Sequence, residues 1–491
     1  MKQASDILNG IVVSGRRGPE NPALHGLTAD SRKMEQGFAF VAMKGSNSDG
    51  HQFIPAVLKS GASLVVCEKL PSAEITSAYP DCLFVETENA ARALGLMACN
   101  WYGHPSRRMK LLAVTGTNGK TTTATLSYQL FRQLGYRCGL LSTVENQIDG
   151  QVIPATHTTP DPVSLNALLA EMLSAGCSHV FMEASSHAIH QERIAGLHFA
   201  GAVFTNISHD HLDYHGSFEN YIAAKKKLFD ELPAGTFSLV NADDRRGKVM
   251  VQNTHSKAYS YSINSSASFR ARILSDNLQG LQLEINGKEV WFRLVGKFNA
   301  SNLLAVYGAA VLLGEKEEEV LLALSSLPPV RGRFERIPLK KGSTAIVDYA
   351  HTPDALQNVL ETIKSIQQSG EQLITVVGCG GNRDRAKRPV MAATASRLST
   401  QVFLTSDNPR DEEPSAILQE MLAGVPLSAR RKVAIIEDRH AAIREALSMA
   451  NRNDVVLVAG KGHETYQEIK GVRYPFDDRA KILETENPVL N

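Results

Sequence analysis

The stretch from Leu111 to Thr123, LLAVTGTNGKTTT, decides how the middle of this chain folds. Four apolar residues run into a turn that contains two glycines. Leu126, Leu130 and Leu134 then recur every fourth residue, as on one face of a helix. The sequence therefore predicts a strand, a glycine loop and a helix in that order.

The composition of this loop indicates a phosphate site. Gly116 and Gly119 let backbone N–H groups approach an anion, and the helix N-terminus adds the positive end of its dipole. Lys120 can reach the outer phosphates, and the Thr121 hydroxyl is placed to ligate Mg²⁺. Val114 stands where the longer phosphate-loop pattern has glycine, so the pattern here is T-G-T-N-G-K-T. A purely structural glycine turn is the alternative, but the flanking strand and helix favour a nucleoside triphosphate site.

Composition limits the class of protein. With 491 residues, 43% hydrophobic and 21% charged, the chain is typical of a soluble globular protein of about three domains. The net charge of +1 gives no indication of a nucleic-acid or membrane partner. The six cysteines form no C-x-x-C pair, and residues 1–20 lack a signal peptide, so we expect a cytoplasmic protein. The apolar stretch 303–313 is too short to span a bilayer and predicts a buried helix.

Alternating strand and helix patterns divide the chain into three predicted α/β domains. They are a small N-terminal domain (1–108), a central domain with a doubly wound, mostly parallel sheet (109–335) and a C-terminal Rossmann-like domain (336–491). Residues 258–295 alternate apolar and polar positions and predict antiparallel strands. A helix is predicted at 89–102 and a linker at 103–108. The predicted strands are 38–43, 64–68, 83–85, 111–114, 139–141, 180–183, 202–205, 345–348, 373–377, 402–405, 433–436 and 455–459.

Polar residues follow two of the central strands. Glu183 ends one strand and can bind Mg²⁺ directly or through water, and a solvated strand end is the alternative. Six histidines lie between residues 187 and 215. A zinc site there is disfavoured, because no cysteine is nearby, and polar loop histidines explain most of them. The lysine triplet 225–227 is typical of a solvated helix face.

Four motifs in this order then resemble the ATP-dependent Mur ligases of peptidoglycan synthesis: T-G-T-N-G-K-T, M-E-A-S-S-H, N-I-S-H-D-H-L-D and A-A-K-K-K. The resemblance continues at 296–302, 331–335 and 348–354 and covers essentially the whole chain. It implies three domains and amide formation. ATP phosphorylates a carboxylate, an amine attacks the acyl phosphate, and phosphate leaves.

The resemblance also implies roles for particular residues. Lys120, Glu183, His211 and Lys225 are the implied catalytic group. Metal ligands would come from Thr121, Glu183, His211 and an N-carbamoylated Lys225. The implied nucleotide contacts are Gly116, Thr117, Asn118, Gly119, Lys120, Thr121, Thr122, Asn302, Arg333 and Asp348.

Two further sets of residues would hold the UDP-sugar dipeptide, UDP-MurNAc-L-Ala-D-Glu. Ala29, Ser31, Ser46, Asn47 and Ser48 belong to loops that resemble the uridine and diphosphate site, although 45–50 also reads as an ordinary polar turn. The implied muramoyl-dipeptide contacts are His157, Thr158, Thr159, Ser185, Gln191 and Arg193.

The run Asp407-Asn408-Pro409-Arg410 resembles the signature of family members that add meso-diaminopimelate. A guanidinium suits the distal carboxylate of this amino acid, which lysine lacks, because it forms two parallel hydrogen bonds. Arg383 would be a second such clamp, and Gly460 and Glu464 would hold the distal ammonium. Each loop alone has a structural alternative, but together they follow strands of one sheet.

We therefore predict a monomeric ligase that uses ATP and Mg²⁺ to add diaminopimelate to the UDP-dipeptide. L-Lysine as the added amino acid is one alternative, and a folylpolyglutamate synthetase is another. Two other classes are a P-loop motor or kinase-like ATPase and an ATP-binding regulatory protein without turnover. The presence of Lys120, Glu183 and His211 disfavours the last.

Overall fold

The computed structural model describes residues 1–45, 48–154 and 158–486. In the N-terminal part, one sheet has the strand order β2-β7-β6-β5-β4, parallel except for β2. Its two faces are covered by separate apolar cores. Short 3₁₀ turns lie at Ser31–Lys33, Gly50–Phe53 and Pro105–Arg107. The elements are strands β1 (Lys2–Gln3), β2 (Gly15–Arg17), β3 (Ala23–Leu24), β4 (Gly26–Thr28), β5 (Phe38–Val41), β6 (Leu64–Cys67) and β7 (Leu83–Glu86), and helices α1 (Ala4–Ile7), α2 (Ile54–Lys59), α3 (Ala73–Ala78) and α4 (Ala90–Tyr102).

The central part contains a larger mixed sheet. Its strands are β8 (Lys110–Thr115), β9 (Cys138–Leu141), β10 (Asn146–Ile148), β11 (Gln151–Ile153), β12 (His179–Glu183), β13 (Gly201–Phe204), β14 (Phe237–Asn241), β15 (Lys257–Ser262), β16 (Phe269–Asn277), β17 (Gly280–Ile285) and β18 (Lys288–Phe292). Its helices are α5 (Lys120–Gln133), α6 (Pro162–Ser174), α7 (Ser186–His190), α8 (Leu212–His215), α9 (Phe218–Asp230), α10 (Gly247–Met250), α11 (Lys297–Leu312) and α12 (Glu317–Ser326).

The order of the central strands explains where a ligand can enter. The sheet runs β11-β10-β9-β12-β8-β13-β14-β15-β16-β17-β18, and β8 lies between the parallel strands β12 and β13. Leu112 and Val114 of β8 pack into one core, whereas Leu111 and Ala113 pack into the other, as the pleat requires. Both faces are therefore buried, and the loop after β8 lies at the carboxyl end of the sheet, where doubly wound folds bind ligands.

One part of the central prediction is wrong. Strands β16, β17 and β18 pair antiparallel, as predicted for 258–295, but β15 pairs parallel with both β14 and β16. The first strand of the region therefore extends the parallel sheet. Alternation of apolar and polar residues sets which face is buried, and it carries no information about strand direction.

The C-terminal part forms a third sheet, ordered β19-β20-β24-β21-β22-β23 and parallel except for β19. A 3₁₀ turn lies at Leu427–Lys432. The strands are β19 (Glu335–Pro338), β20 (Thr344–Asp348), β21 (Leu373–Val377), β22 (Gln401–Leu404), β23 (Val433–Ile435) and β24 (Val455–Ala459), with a separate hairpin of β25 (Tyr466–Ile469) and β26 (Val472–Pro475). The helices are α13 (Pro353–Ile366), α14 (Lys387–Leu398), α15 (Pro414–Ala423), α16 (Arg439–Met449) and α17 (Asp478–Glu486).

The predicted α/β fold class is confirmed, with a mostly parallel central sheet, an antiparallel addition and a third parallel sheet. That each of the predicted ranges 1–108, 109–335 and 336–491 folds as an independent unit stays a prediction. The helix predicted to be buried at 303–313 corresponds to the later turns of α11, whose apolar residues from Leu303 onward pack into the central core. No helix in the described part of the chain combines the length and apolar character that crossing a membrane requires.

Candidate active site

The glycine loop after β8 has a backbone that only glycine can follow at two positions. Gly116 and Gly119 have φ values of +152° and +85°. A Cβ on Gly116 would lie 2.0 Å from Thr205 Oγ1, and one on Gly119 would lie 2.6 Å from Asn302 Oδ1. Since α5 begins at Lys120, the loop and the first turn of the helix present backbone N–H groups toward one space. This geometry supports the predicted phosphate site.

Two lysine amines meet at the loop. Lys120 Nζ donates to the carbonyl oxygens of Gly116 and Thr117, at 2.9 and 2.8 Å, and Lys225 Nζ donates to Gly116 O at 2.8 Å. Burial lowers the pKa of both amines, and the nearby Lys120 charge lowers the pKa of Lys225 further. Lys225 is 1% exposed. A buried amine with a strongly lowered pKa is a good nucleophile, because its unprotonated form is populated.

The sequence reading of the lysine triplet as a solvated face is wrong for Lys225. The two following lysines match that reading better, since Lys226 pairs with Asp230 and Lys227 pairs with Glu192 on the partly exposed side of α9. The buried face of α9 includes Tyr221, Ala224 and Lys225. The helical spacing of four from Tyr221 to Lys225 was the signal that could have placed this lysine inward.

Oxygen donors lie directly beside the loop. Thr121 Oγ1 donates to Glu183 Oε2 at 3.0 Å, and Glu183 is fully buried. The backbone N–H of Thr143 donates to Glu183 Oε1 at 2.7 Å, and Arg333 Nη2 donates to Thr121 Oγ1 at 2.9 Å. A hydroxyl and a carboxylate this close form a donor set that suits a hard cation such as Mg²⁺. Within the described ranges, no three His, Cys, Asp or Glu side chains converge as a metal cluster.

His211 lies at the edge of the same space. It has a left-handed backbone with φ of +54°, and its backbone N–H donates to Asp210 Oδ1 at 2.9 Å. Burial lowers the pKa of His211 to about 4, so its imidazole is neutral at pH 7 and able to ligate a metal. Its ring packs edge-on against His187 with centroids 4.8 Å apart. Four of the six histidines (187, 190, 211 and 215) thus pack together with Tyr214.

Residues distant in sequence join the loop around one cavity of about 1050 Å³. Asn302 comes from α11, Arg333 precedes β19, and Asp348 ends β20. Arg333 lies over the Tyr349 ring at 4.4 Å from its centroid. Burial raises the pKa of Asp348 to about 6, although the N–H groups of Phe334 and Ala350 donate to its carboxylate. The predicted nucleotide residues that line this cavity are Thr117, Asn118, Gly119, Lys120, Thr121, Thr122, Asn302, Arg333 and Asp348.

The predicted dipeptide contacts form one hydrogen-bonded group beside β12. Arg193 Nη1 donates to Thr159 O at 2.8 Å, and Arg193 Nη2 donates to Gln191 Oε1 at 2.7 Å. Thr143 Oγ1 donates to Thr158 Oγ1 at 3.1 Å, and the Ser185 N–H donates to Thr159 Oγ1 at 3.3 Å. Thr158, Ser185 and Arg193 line the large cavity. His157 lies outside the described residues.

The predicted UDP residues lie elsewhere. Ala29 and Ser31 follow β4, Ser48 lies beyond the end of β5, and the two strands are parallel neighbours. None of these three residues lines the large cavity. Ser46 and Asn47 lie outside the described residues. Of the N-terminal set, the three described residues Ala29, Ser31 and Ser48 therefore lie outside the lining of the cavity at the phosphate loop.

The predicted amino-acid residues follow the neighbouring strands β24, β21 and β22. Arg383 is exposed and lines the large cavity, whereas Asp407, Asn408, Pro409, Arg410, Gly460 and Glu464 lie outside its lining. Asn408 Nδ2 donates to Glu464 Oε2 at 2.8 Å. Arg410 Nη1 donates to Gly381 O at 2.8 Å, and Arg410 Nε lies 3.5 Å from Glu468 Oε2. The structure thus brings these loops together.

Sequence reasoning missed three residues at these sites. Lys461 is fully buried and donates to Asn408 Oδ1 and Glu464 Oε2, both at 3.0 Å. Asp354, from the first turn of α13, accepts from the side chain of Asn118 in the glycine loop at 3.1 Å. Thr143 contacts Glu183 directly. Thr143 follows the end of β9, so the rule that ligands bind at strand ends was the signal that could have identified it.

Comparison with known proteins identifies this protein as an ATP-dependent ligase. Three family descriptions cover most of the chain: "Mur ligase family, catalytic domain" at 23–102, "Mur ligase middle domain" at 114–310 and "Mur ligase, glutamate ligase domain" at 332–462. The chain belongs to the Mur ligase family.

Individual relatives agree with this assignment. A protein of Cytophaga hutchinsonii named UDP-N-acetylmuramoyl-L-alanyl-D-glutamate–2,6-diaminopimelate ligase is 57% identical over 474 residues, or 96% of each chain. A solved structure with the same name is 34% identical, covers 94% of each chain and has a TM-score of 0.67. A folylpolyglutamate synthase of Mycobacterium tuberculosis complexed with ADP and AMPPCP is 18% identical. It covers 74% of this chain and 91% of its own, with a TM-score of 0.60, and so shares the fold alone.

Proposed function

We propose that this protein adds meso-2,6-diaminopimelate to the γ-carboxylate of D-glutamate in UDP-MurNAc-L-Ala-D-Glu, using ATP. The observation that carries the proposal is the 57% identity, over 96% of both chains, to a protein named as this ligase. All residues that the proposal uses come from one chain, so a monomer suffices. Because ATP is a cytoplasmic metabolite, the proposal places the reaction in the cytoplasm.

The reaction has two steps. The γ-carboxylate attacks the terminal phosphorus of ATP, which gives an acyl phosphate and ADP. The amine of diaminopimelate then attacks the acyl carbon, and the tetrahedral intermediate expels phosphate to leave the new amide. Both steps gather negative charge at one place, so cations fixed in a buried site supply most of the rate enhancement.

Different residues of this chain would bind the phosphates, the nucleoside and the metal ion. Lys120 turns from the loop carbonyls to the outer phosphates, and the glycine-loop N–H groups hold the phosphates. Arg333 reaches the same space, from which it already donates to Thr121. Asp348 and Asn302 would hold the nucleoside end. A Mg²⁺ ion bound by Thr121 and Glu183 would neutralise charge on the phosphates.

The role proposed for Lys225 requires a chemical modification of its side chain. Its amine is buried, lies beside Lys120 and has a strongly lowered pKa. We propose that it is N-carbamoylated, by addition of CO₂ to the neutral amine with loss of a proton. The product is a carboxylate-like side chain that would act with His211 as a ligand for a second Mg²⁺. The charge of the carbamate would also offset the Lys120 ammonium.

The proposed selectivity rests on the loops after β21, β22 and β24. Arg383 and Arg410 would bind the distal carboxylate of diaminopimelate, and Gly460 and Glu464 would hold its distal ammonium. L-Lysine lacks that carboxylate and would leave both guanidinium groups without their contact to the amino acid. The folylpolyglutamate synthase that shares the fold covers only 74% of this chain, which disfavours that alternative.

Release of phosphate from ATP tests this proposal. With purified protein, phosphate release should require the UDP-dipeptide and diaminopimelate together, and omission of either should return it to background. Release that needs no amino acid would indicate a simple ATPase instead. Turnover with a folate substrate would support the folylpolyglutamate alternative.

A further inference from the structure

The two guanidinium side chains proposed as carboxylate clamps lie on loops that are joined to each other. The N–H of Gly381 donates to Asn408 O at 2.9 Å, and Arg410 Nη1 donates back to Gly381 O at 2.8 Å. A Cβ added to Gly380 would lie 2.9 Å from Arg410 Nη1 and 3.9 Å from Arg383 Cγ. Both arginine side chains therefore flank Gly380, and the separation of their charges depends on how these loops are held.

Arg388, in the first turn of α14, contacts both the loop after β21 and the loop after β22. Its side chain has no exposed surface. Its Nη1 and Nη2 donate to the two oxygens of Glu412, at 2.9 and 2.8 Å, in a bidentate pair. Glu412 Oε1 also accepts from the N–H of Asn382 at 2.6 Å, and Arg388 Nη2 lies 3.3 Å from Gly380 O. One guanidinium thus connects α14 to the segments 380–383 and 407–412.

The charges make this arrangement specific for arginine. Arg388 Nη1 also donates to Glu420 Oε2 at 2.8 Å, so its guanidinium bridges two carboxylates, one of which, Glu420, also pairs with Arg385. The bond to Arg388 lowers the pKa of Glu412 to about 2. A lysine would keep the charge, but one ammonium cannot reproduce the planar fork that meets Glu412 twice and also reaches Glu420. Without the Arg388 guanidinium, Glu412 would lose two charge-assisted hydrogen bonds and release the loop, because the neighbouring Arg385 pairs with Glu420.

We propose that Arg388 is a positioning residue that sets the spacing of Arg383 and Arg410 and so selects an amino acid with a distal carboxylate. The inference rests on the proposed function, since it concerns the specificity of that same reaction. Arg388 does not line the cavity and its side chain is enclosed by protein, so it acts through the groups that it contacts, Glu412, Glu420 and Gly380. A shift of the clamps by about 1 Å is enough to weaken binding strongly.

The test compares steady-state kinetics of Arg388→Lys and Glu412→Gln with the wild-type enzyme. Each variant should raise KM for diaminopimelate by about tenfold, with little change in KM for ATP or the UDP-dipeptide, because one bidentate contact with a distal carboxylate is lost. Arg385→Ala is the matched control. It removes an exposed partner of the same Glu420 and leaves the contacts to Gly380 and Asn382 intact.

The outcomes separate positioning from general stability. A purely structural role would lower the active fraction, and therefore kcat, with every KM unchanged, and that result would overturn the inference. Equal KM values for diaminopimelate in Arg385→Ala and Arg388→Lys would overturn it as well. If Arg388→Lys does not fold, Glu412→Gln decides, since Glu412 is partly exposed and its amide keeps the shape. A wild-type enzyme without diaminopimelate-dependent turnover would instead overturn the proposed function.

Discussion

Replacement of Lys225 by methionine should make the stability of the ligand-free protein less dependent on pH. In the unfolded chain the amine stays protonated up to its ordinary pKa of 10.5, whereas burial beside Lys120 lowers its pKa well below that value in the folded protein. Unfolding therefore binds one proton at this site at pH values between the two pKa values. The contribution of Lys225 to stability falls as the pH is lowered from about 10.5 toward its folded pKa.

The magnitude follows from one proton. Each proton bound on unfolding changes the free energy of unfolding by about 1.4 kcal/mol per pH unit. At pH values between the two pKa values, the wild-type protein should gain about 1.4 kcal/mol more stability per pH unit than Lys225→Met gains. Lys120 is present in both proteins, so its own titration cancels in the difference to first order. Methionine also removes an enclosed amine while it keeps most of the side-chain volume, so the variant should fold well at pH 7.

Guanidinium-induced unfolding followed by circular dichroism measures this difference, in buffers freed of CO₂ and nucleotide. Lys226→Met is the control on the same helix, because Lys226 is partly exposed and pairs with Asp230. The control should keep the wild-type pH dependence. Parallel pH profiles for the wild type and Lys225→Met would refute the statement that Lys225 is a buried neutral amine, and with it the basis for carbamoylation.

Three further predictions concern the same cavity and its neighbours. Lys225→Ala should lose activity and regain part of it with added formate or acetate, and unchanged activity in the variant would contradict a carbamate ligand. Gly460→Ala should raise KM for diaminopimelate, because φ is +115° and the new Cβ would lie 2.6 Å from Asp407 Oδ2; Gly471→Ala, whose Cβ meets nothing within 4 Å, is the control. Burial raises the pKa of Asp348 to about 6, so its carboxylate becomes protonated as the pH falls through 6. The value of kcat/KM for ATP should therefore decline at this pH. A decline that persists unchanged in Asp348→Asn would assign the titration to another group.

The elements that the sequence predicted best are buried parallel strands. The strands at Leu373–Val377 and Val455–Ala459 match their predicted bounds, because a short apolar run between polar loops has few other ways to be buried. The direction of β15 was not predictable in this way, since it depends on the partner strands and on the path of the connection to β16. Strand direction is a tertiary property that local alternation does not carry.

In the candidate site, too, some residues were predictable from the local sequence, whereas others depend on tertiary packing. Lys120 and Thr121 were predictable from the glycine loop itself, because local backbone geometry sets their position. Lys225 was assigned only through the family resemblance, because its burial depends on how α9 packs against that loop, and its spacing of four from Tyr221 was the one local signal. Arg388 gives no sequence signal at all, since its role depends on carboxylates 24 and 32 residues away. Residues that act through other residues become visible only when their contacts are known.

Competition between amino acids tests the central claim most directly. Purified protein would be incubated with ATP, Mg²⁺, UDP-MurNAc-L-Ala-D-Glu and equal concentrations of meso-diaminopimelate and L-lysine, and the products would be identified by mass spectrometry. The proposed site predicts a product that contains diaminopimelate almost exclusively, because only this amino acid offers a carboxylate to Arg383 and Arg410. Equal amounts of the two products, or an excess of the lysine product, would contradict the proposed selectivity.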